Sequence, residues 1–126
     1  PRSNERLAVG RAPVQLFKKL AIPLCIGTDS LASNDSLSLW DELRFALDAY
    51  AGALTPDELL QLATSGGAAG LGLSATVGTL EEGKRADLQV VTLAGQVQGL
   101  GSNLAELLLR SGRPAEVLAG GRSVAV

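Results

Sequence analysis

The chain has 126 residues, the size of one ordinary domain, and its 46% hydrophobic and 19% charged residues exclude an intrinsically disordered polymer. Its net charge of −2 comes from interspersed acids and bases; the longest basic cluster, Lys18-Lys19, leaves no footprint for nucleic acid. No apolar run approaches the roughly 18 residues that cross a bilayer, so no membrane partner is expected, and the polar opening Pro1-Arg2-Ser3-Asn4 is unlike a signal peptide.

Residues 1–12 read as a strand end and a loop. Pro13 suits the first turn of a helix in which Val14, Phe17 and Leu20 recur at helical spacing. Residues 22–26, Ile-Pro-Leu-Cys-Ile, form a short apolar run between polar segments, the pattern of a buried parallel strand, with Cys25 an inert thiol inside it. Gly27-Thr28-Asp29-Ser30 ends that strand, and residues 31–36 form a polar loop. A helix is expected over 38–51, where Trp40, Leu43, Leu47 and Tyr50 mark one buried face and Ser38 with Asp41 resembles a capping box. Thr55-Pro56-Asp57-Glu58 is a fuller helix start, and that helix is expected to run to about Thr64 and stop at Gly66-Gly67, before a short helical turn over 68–71.

Beyond Gly72 the texture changes. Residues 77–84 are rich in turn formers, with Glu81, Glu82, Lys84 and Arg85 a solvated turn, and 86–91 read as a strand. A helix is predicted over 103–110 with Leu104, Leu107 and Leu108 on one side. Residues 117–119, Gly120-Gly121 and 123–126 predict a hairpin across a tight glycine turn. The order up to residue 65 is that of the closing units of an α/β barrel; after residue 77 it is that of part of a small β domain.

Asp29 is the leading candidate for chemistry. It directly follows an apolar strand, at the end where α/β barrels carry their active sites, because the strand fixes the backbone while the loop exposes the side chain. A plain turn-stabilising role is the alternative on position alone. Arg2 and Asn4 follow a strand end and could reach the same barrel mouth, or could be a solvated arginine and a loop-stabilising asparagine. Ser33 and Asn34 could face substrate or hold the loop. The chain has no histidine, the commonest metal ligand and general base, and no methionine, so it is expected to be part of a longer chain. Its single cysteine excludes an internal disulfide and fits a reducing compartment, here expected to be the cytoplasm.

The sequence motifs carry a family resemblance. Pro-Arg-Ser-Asn at 1–4, Gly-Arg-Ala-Pro-Val at 10–14, Gly-Thr-Asp-Ser-Leu-Ala-Ser-Asn at 27–34 and Asp-Glu-Leu-Arg at 41–44 occur in that order. Thr55-Pro56, Ala63-Thr64, Gly67-Ala68, the run Gly-Thr-Leu-Glu-Glu-Gly-Lys-Arg-Ala-Asp-Leu at 78–88, and Gly121-Arg122 follow. Together they resemble the C-terminal part of metal-dependent amidohydrolases, on the aminohydrolase branch that holds S-adenosylhomocysteine deaminase, aminodeoxyfutalosine deaminase and atrazine chlorohydrolase.

The resemblance implies an α/β fold: residues 1–76 would be the last strands and helices of a TIM barrel, and 77–126 part of a small β-sandwich domain. It implies hydrolysis of a C–N or C–Cl bond of a small nitrogen heterocycle, with deamination first, and one divalent metal, zinc or iron. Asp29 would be the catalytic aspartate and a metal neighbour, taking a proton from metal-bound water and returning it to the leaving group. Asn4 and Ser33 would contact substrate, and a homo-oligomer is expected. The family's histidine ligands are absent from this chain, and a complete barrel needs about 250 residues, so the chain alone is expected to be inactive and metal-free. The competing reading is a non-catalytic binding or scaffolding module built from a barrel tail.

Overall fold

The computed structural model describes residues 1–93, 101 and 104–124. Six helices and three strands occur among them: α1 (Arg2–Arg6), α2 (Val14–Lys19), α3 (Leu39–Ala49), α4 (Pro56–Ala63), α5 (Ser65–Gly70), β1 (Leu88–Thr92), α6 (Leu104–Ser111), β2 (Arg113–Ala119) and β3 (Arg122–Val124).

The core lies where α3, α4 and α6 meet. Leu43, Ala46, Leu47 and Tyr50 of the α3 region, Leu54, Leu59 of α4, Val14 of α2 and Leu109 of α6 are buried, and Leu24 and Ile26 pack against them half-buried. The spacing of the α3 residues sets one apolar stripe on the helix, which explains the burial. Trp40, expected on the same face, is half-buried; its indole Nε1 donates to Gln89 Oε1 of β1 at 2.8 Å. Arg44 ties α3 to the other end of the chain, donating from Nε to the Leu109 carbonyl at 3.2 Å and from Nη2 to the Gly112 carbonyl at 2.8 Å.

The helix starts follow their capping chemistry. Thr55 Oγ1 accepts from the Glu58 N–H at 3.2 Å, and Glu58 Oε2 accepts from the Thr55 N–H at 2.8 Å, a complete capping box with Pro56 behind it. Ser38 Oγ accepts from the Asp41 N–H, but the Asp41 carboxylate faces Ser36 and Arg44 instead, so this cap is one-sided.

Several expectations are corrected. Residues 2–6 form a helix rather than a strand end: Leu7 N–H bonds the Ser3 carbonyl at 2.9 Å, satisfying the backbone locally. The apolar run 22–26 is not in a strand. A strand exists only by pairing, no strand lies beside this run among the described residues, and its Ile26 N–H turns to the Leu62 carbonyl at 3.4 Å. Cys25 is therefore exposed rather than buried. Helix α4 ends at Thr64 as expected, but Gly66-Gly67 are not its stop: they lie inside α5, and the break comes from Thr64, whose ψ of −92° leaves the helical region. The reason is contact: a Cβ on Gly66 would sit 2.7 Å from the Leu24 carbonyl, so glycine lets α5 approach the segment that leads to Asp29. In α6 the buried residues are Ala105 and Leu109, while Leu104 is exposed, because the helix turns that face to α3 and α4.

The sheet is antiparallel in the order β1-β2-β3. Leu88 pairs with Leu118 and Val117 with Val124, and the register shifts between Val90 and Val91, opposite Pro114, whose missing N–H suits a break in the ladder. The expected glycine hairpin is present, with Gly120 and Gly121 both at positive φ. The expected helix position 103 and strand positions 125–126 lie outside the described residues.

Candidate functional site

Asp29 stands at the end of the apolar run with φ of +62°, in the left-handed region, where a residue with a Cβ is uncommon and aspartate is better tolerated than most. Its side chain is exposed. Ser33 Oγ donates to Asp29 Oδ2 at 2.7 Å, across one turn of the loop. That hydroxyl, followed by the Ser30 N–H, holds the Asp29 carboxyl below the usual aspartate range; slight desolvation opposes, and the Ser3 hydroxyl adds to the lowering. Asp29 is accordingly a carboxylate at neutral pH, an acceptor with no cationic side chain in hydrogen-bond reach among the described residues.

The other candidates divide. Ser33 is buried and joined to Asp29. Ser3, on α1, is buried beside it. Asn4 lies with Ser3 on the wall of a cavity of about 310 Å³ that is otherwise lined mainly by apolar side chains, among them Leu24, Ile26, Tyr50 and Leu62. Neither Asp29 nor Ser33 lines that cavity. Arg2 is not a solvated arginine: its guanidinium pairs with Asp35 and lies 3.7 Å from Asp41, joining α1 to the loop and to the start of α3.

Sequence reasoning passed over Glu42. It is fully buried and accepts from Asn34 Nδ2 at 2.6 Å. The signal was available: Glu42 sits next to Leu43 and one turn before Ala46, on the apolar stripe of α3, where an unpaired charge does not belong.

Among the described residues no group of three or more histidine, cysteine, aspartate or glutamate side chains could hold a metal ion. The chain has no histidine at all, and Asp29 can supply at most one ligand, where a tight transition-metal site takes three or four. No helix among the described residues is long and apolar enough to cross a membrane.

Comparison with known proteins gives this geometry a context. A 5-methylthioadenosine/S-adenosylhomocysteine deaminase of Saccharophagus degradans is 38% identical over 117 residues, covering 88% of this chain and 26% of that protein. An adenosine deaminase from Xanthomonas campestris, solved with bound zinc, superposes with a TM-score of 0.86 at 34% identity, over 100% of this chain and 31% of that one. Atrazine chlorohydrolase from Arthrobacter aurescens, complexed with zinc, gives a TM-score of 0.81 at 29% identity over 98% of this chain and 30% of that one. The chain thus spans about a quarter of the length of the curated relatives it matches. The amidohydrolase family pattern runs through residues 1–124, and the chain belongs to that family.

Proposed function

We propose that this chain is the part of a longer hydrolytic deaminase that carries its proton-transferring carboxylate. In this reading residues 1–76 contribute the last strand and closing helices of an α/β barrel, and 77–126 contribute to a small β domain. The run 22–26 becomes a parallel strand once a neighbouring strand lies beside it. The substrate is a purine-like nitrogen heterocycle with an exocyclic amine. The whole enzyme uses zinc bound mainly by histidines outside this chain, with Asp29 as one neighbour of the metal.

The observation that carries the reading is Asp29 itself: an exposed carboxylate in a left-handed conformation, at the end of an apolar segment, oriented by one serine hydroxyl. Ala8 and Ala21 share the left-handed conformation, so what sets Asp29 apart is the exposed carboxylate with the Ser33 hydroxyl on it. Deamination needs a base to take a proton as water adds to the ring carbon, and an acid to protonate the amine as the C–N bond breaks. A carboxylate held ionised at neutral pH performs the first task and, once protonated, the second. Ser33 orients it. Ser33, and Asn4 from a cavity that Asp29 and Ser33 do not line, are assigned to substrate contact.

The test is ammonia release by the whole enzyme from adenosine, 5-methylthioadenosine and S-adenosylhomocysteine. Asp29→Asn keeps the shape and the tolerance for positive φ, and should lower turnover by about 10²–10⁴, the worth of general acid–base catalysis. Ser30→Ala should cost far less. An Asp29→Asn enzyme that keeps more than about a tenth of its turnover, a loss below that range, would show that Asp29 is a turn residue.

A further inference from the structure

Beneath the loop that carries Asp29 lie two polar side chains with almost no solvent contact: Asn34 is 2% exposed and Glu42 0%. The Asn34 amide donates one hydrogen to the Thr28 carbonyl at 2.7 Å and the other to Glu42 Oε1 at 2.6 Å. Its Oδ1 accepts from the Asp35 N–H at 2.9 Å. Glu42 Oε2 in turn accepts from the Arg2 N–H at 2.9 Å. One amide therefore connects the peptide just before Asp29, the loop just after it and the first turn of α3.

Stability alone does not account for this pair. Burying a carboxylate carries a large desolvation cost, and apolar residues of matching shape are often as stable or more so. The position of the Thr28 bond offers a reason. The Thr28 carbonyl belongs to the peptide plane about which the φ of Asp29 is measured, and that φ is the strained +62°. A donor fixed on this carbonyl holds the plane, and with it the direction in which the Asp29 side chain leaves the backbone. The donor is itself fixed by a carboxylate on a helix whose other residues form the core, so the restraint is referred to the most rigid part of the molecule.

We propose that Asn34 and Glu42 are positioning residues, a buried amide–carboxylate pair that locks the Thr28–Asp29 peptide and aims the Asp29 carboxylate. The proposal rests on the reading of Asp29 as the proton-carrying group. Misplacement of a catalytic group by about 1 Å can cost about 10²-fold in rate. Asn34→Leu removes the donor to Thr28. Glu42→Gln is isosteric, but its amide sets a donor against either Asn34 or the Arg2 N–H.

The experiment measures kcat, KM, zinc content and thermal midpoint in the whole enzyme. The substrate is whichever of adenosine, 5-methylthioadenosine and S-adenosylhomocysteine the wild type deaminates fastest. Both variants should lose about 10–10²-fold in kcat with KM changed little and zinc retained. The double variant Asn34→Asp with Glu42→Gln exchanges acid and amide: it restores the bond between the two side chains but sets a carboxylate oxygen against the Thr28 carbonyl, so kcat should stay low. Recovery of kcat in the exchanged pair, wild-type kcat in Asn34→Leu, or failure of both single variants to fold would each overturn the proposal, the last because the pair would then be holding the fold. Asp29→Asn runs in parallel. If it stays active, the catalytic reading fails; if it is inactive while the Asn34 and Glu42 variants are normal, only the positioning role fails.

Discussion

The Asp29 carboxyl titrates below the ordinary aspartate range chiefly because the Ser33 hydroxyl donates to it, with the Ser30 N–H second. Hydrogen bonds to the charged form favour that form. The catalytic role needs the ionised form, so activity should fall on acidification only when the lowered pKa is reached. Ser33→Ala removes the largest contribution and raises the pKa, so the acid limb of kcat/KM should move to higher pH. An unmoved limb would mean that Ser33 does not hold Asp29 in the working enzyme. Any stability linked to this group has the sign of a depressed acid: complete above the unfolded pKa and lost as pH falls through the lower folded one. Because the side chain is exposed, the effect on stability is small beside the effect on rate.

Helix α5 shows how neighbouring glycines acquire opposite roles. A Cβ on Gly66 would lie 2.7 Å from the Leu24 carbonyl, and backbone cannot step aside; a Cβ on Gly67 would meet the Leu62 carbonyl at an ordinary 3.7 Å. Alanine gains about 1 kcal/mol over glycine inside a helix, while overpacking costs about 1–3 kcal/mol. Gly66→Ala should therefore destabilise the protein and Gly67→Ala stabilise it slightly, as read from denaturant midpoints. If both variants shift the same way, α5 does not approach the 22–27 segment as described. At α4, Thr55→Ala removes half of the capping box and should cost about 1 kcal/mol by the same measurement.

For the chain as a whole, the apolar surface is the salient feature. Val9, Leu31, Leu71 and Leu80 are 68%, 62%, 76% and 83% exposed, and Leu7, Leu20 and Ile22 add to them. Exposure of this kind is normal residue by residue but in quantity invites other chains. The 126 residues produced alone should self-associate and bind a hydrophobic dye; a strictly monomeric species in sedimentation at high concentration would count against this. The same polypeptide should take up zinc weakly or not at all, for want of a second and third ligand near Asp29. Calorimetry showing stoichiometric, sub-micromolar zinc binding would overturn that expectation.

What the sequence determined on its own is whatever short-range chemistry decides. The caps of α3 and α4 were legible because a hydroxyl three residues before a backbone N–H is a local arrangement, and the α3 core face because a 3.6-residue repeat places its members on one side. The glycine hairpin was legible in the same way, as was the position of Asp29 just after an apolar run. Its left-handed backbone, its bond to Ser33 and the buried Asn34–Glu42 pair were not, since they depend on how a loop closes over a helix. The apolar run 22–26 read as a strand from its composition, yet pairing is a property of two segments, and no strand partner lies beside it among the described residues. Gly66 read as a stop because glycine ends helices more often than it lines them; only the approach of the Leu24 carbonyl, from a segment about forty residues earlier, gave it the opposite role. Local bonds are written in neighbouring residues, whereas close packing and strand pairing are written between distant ones, and the tertiary structure alone brings those together.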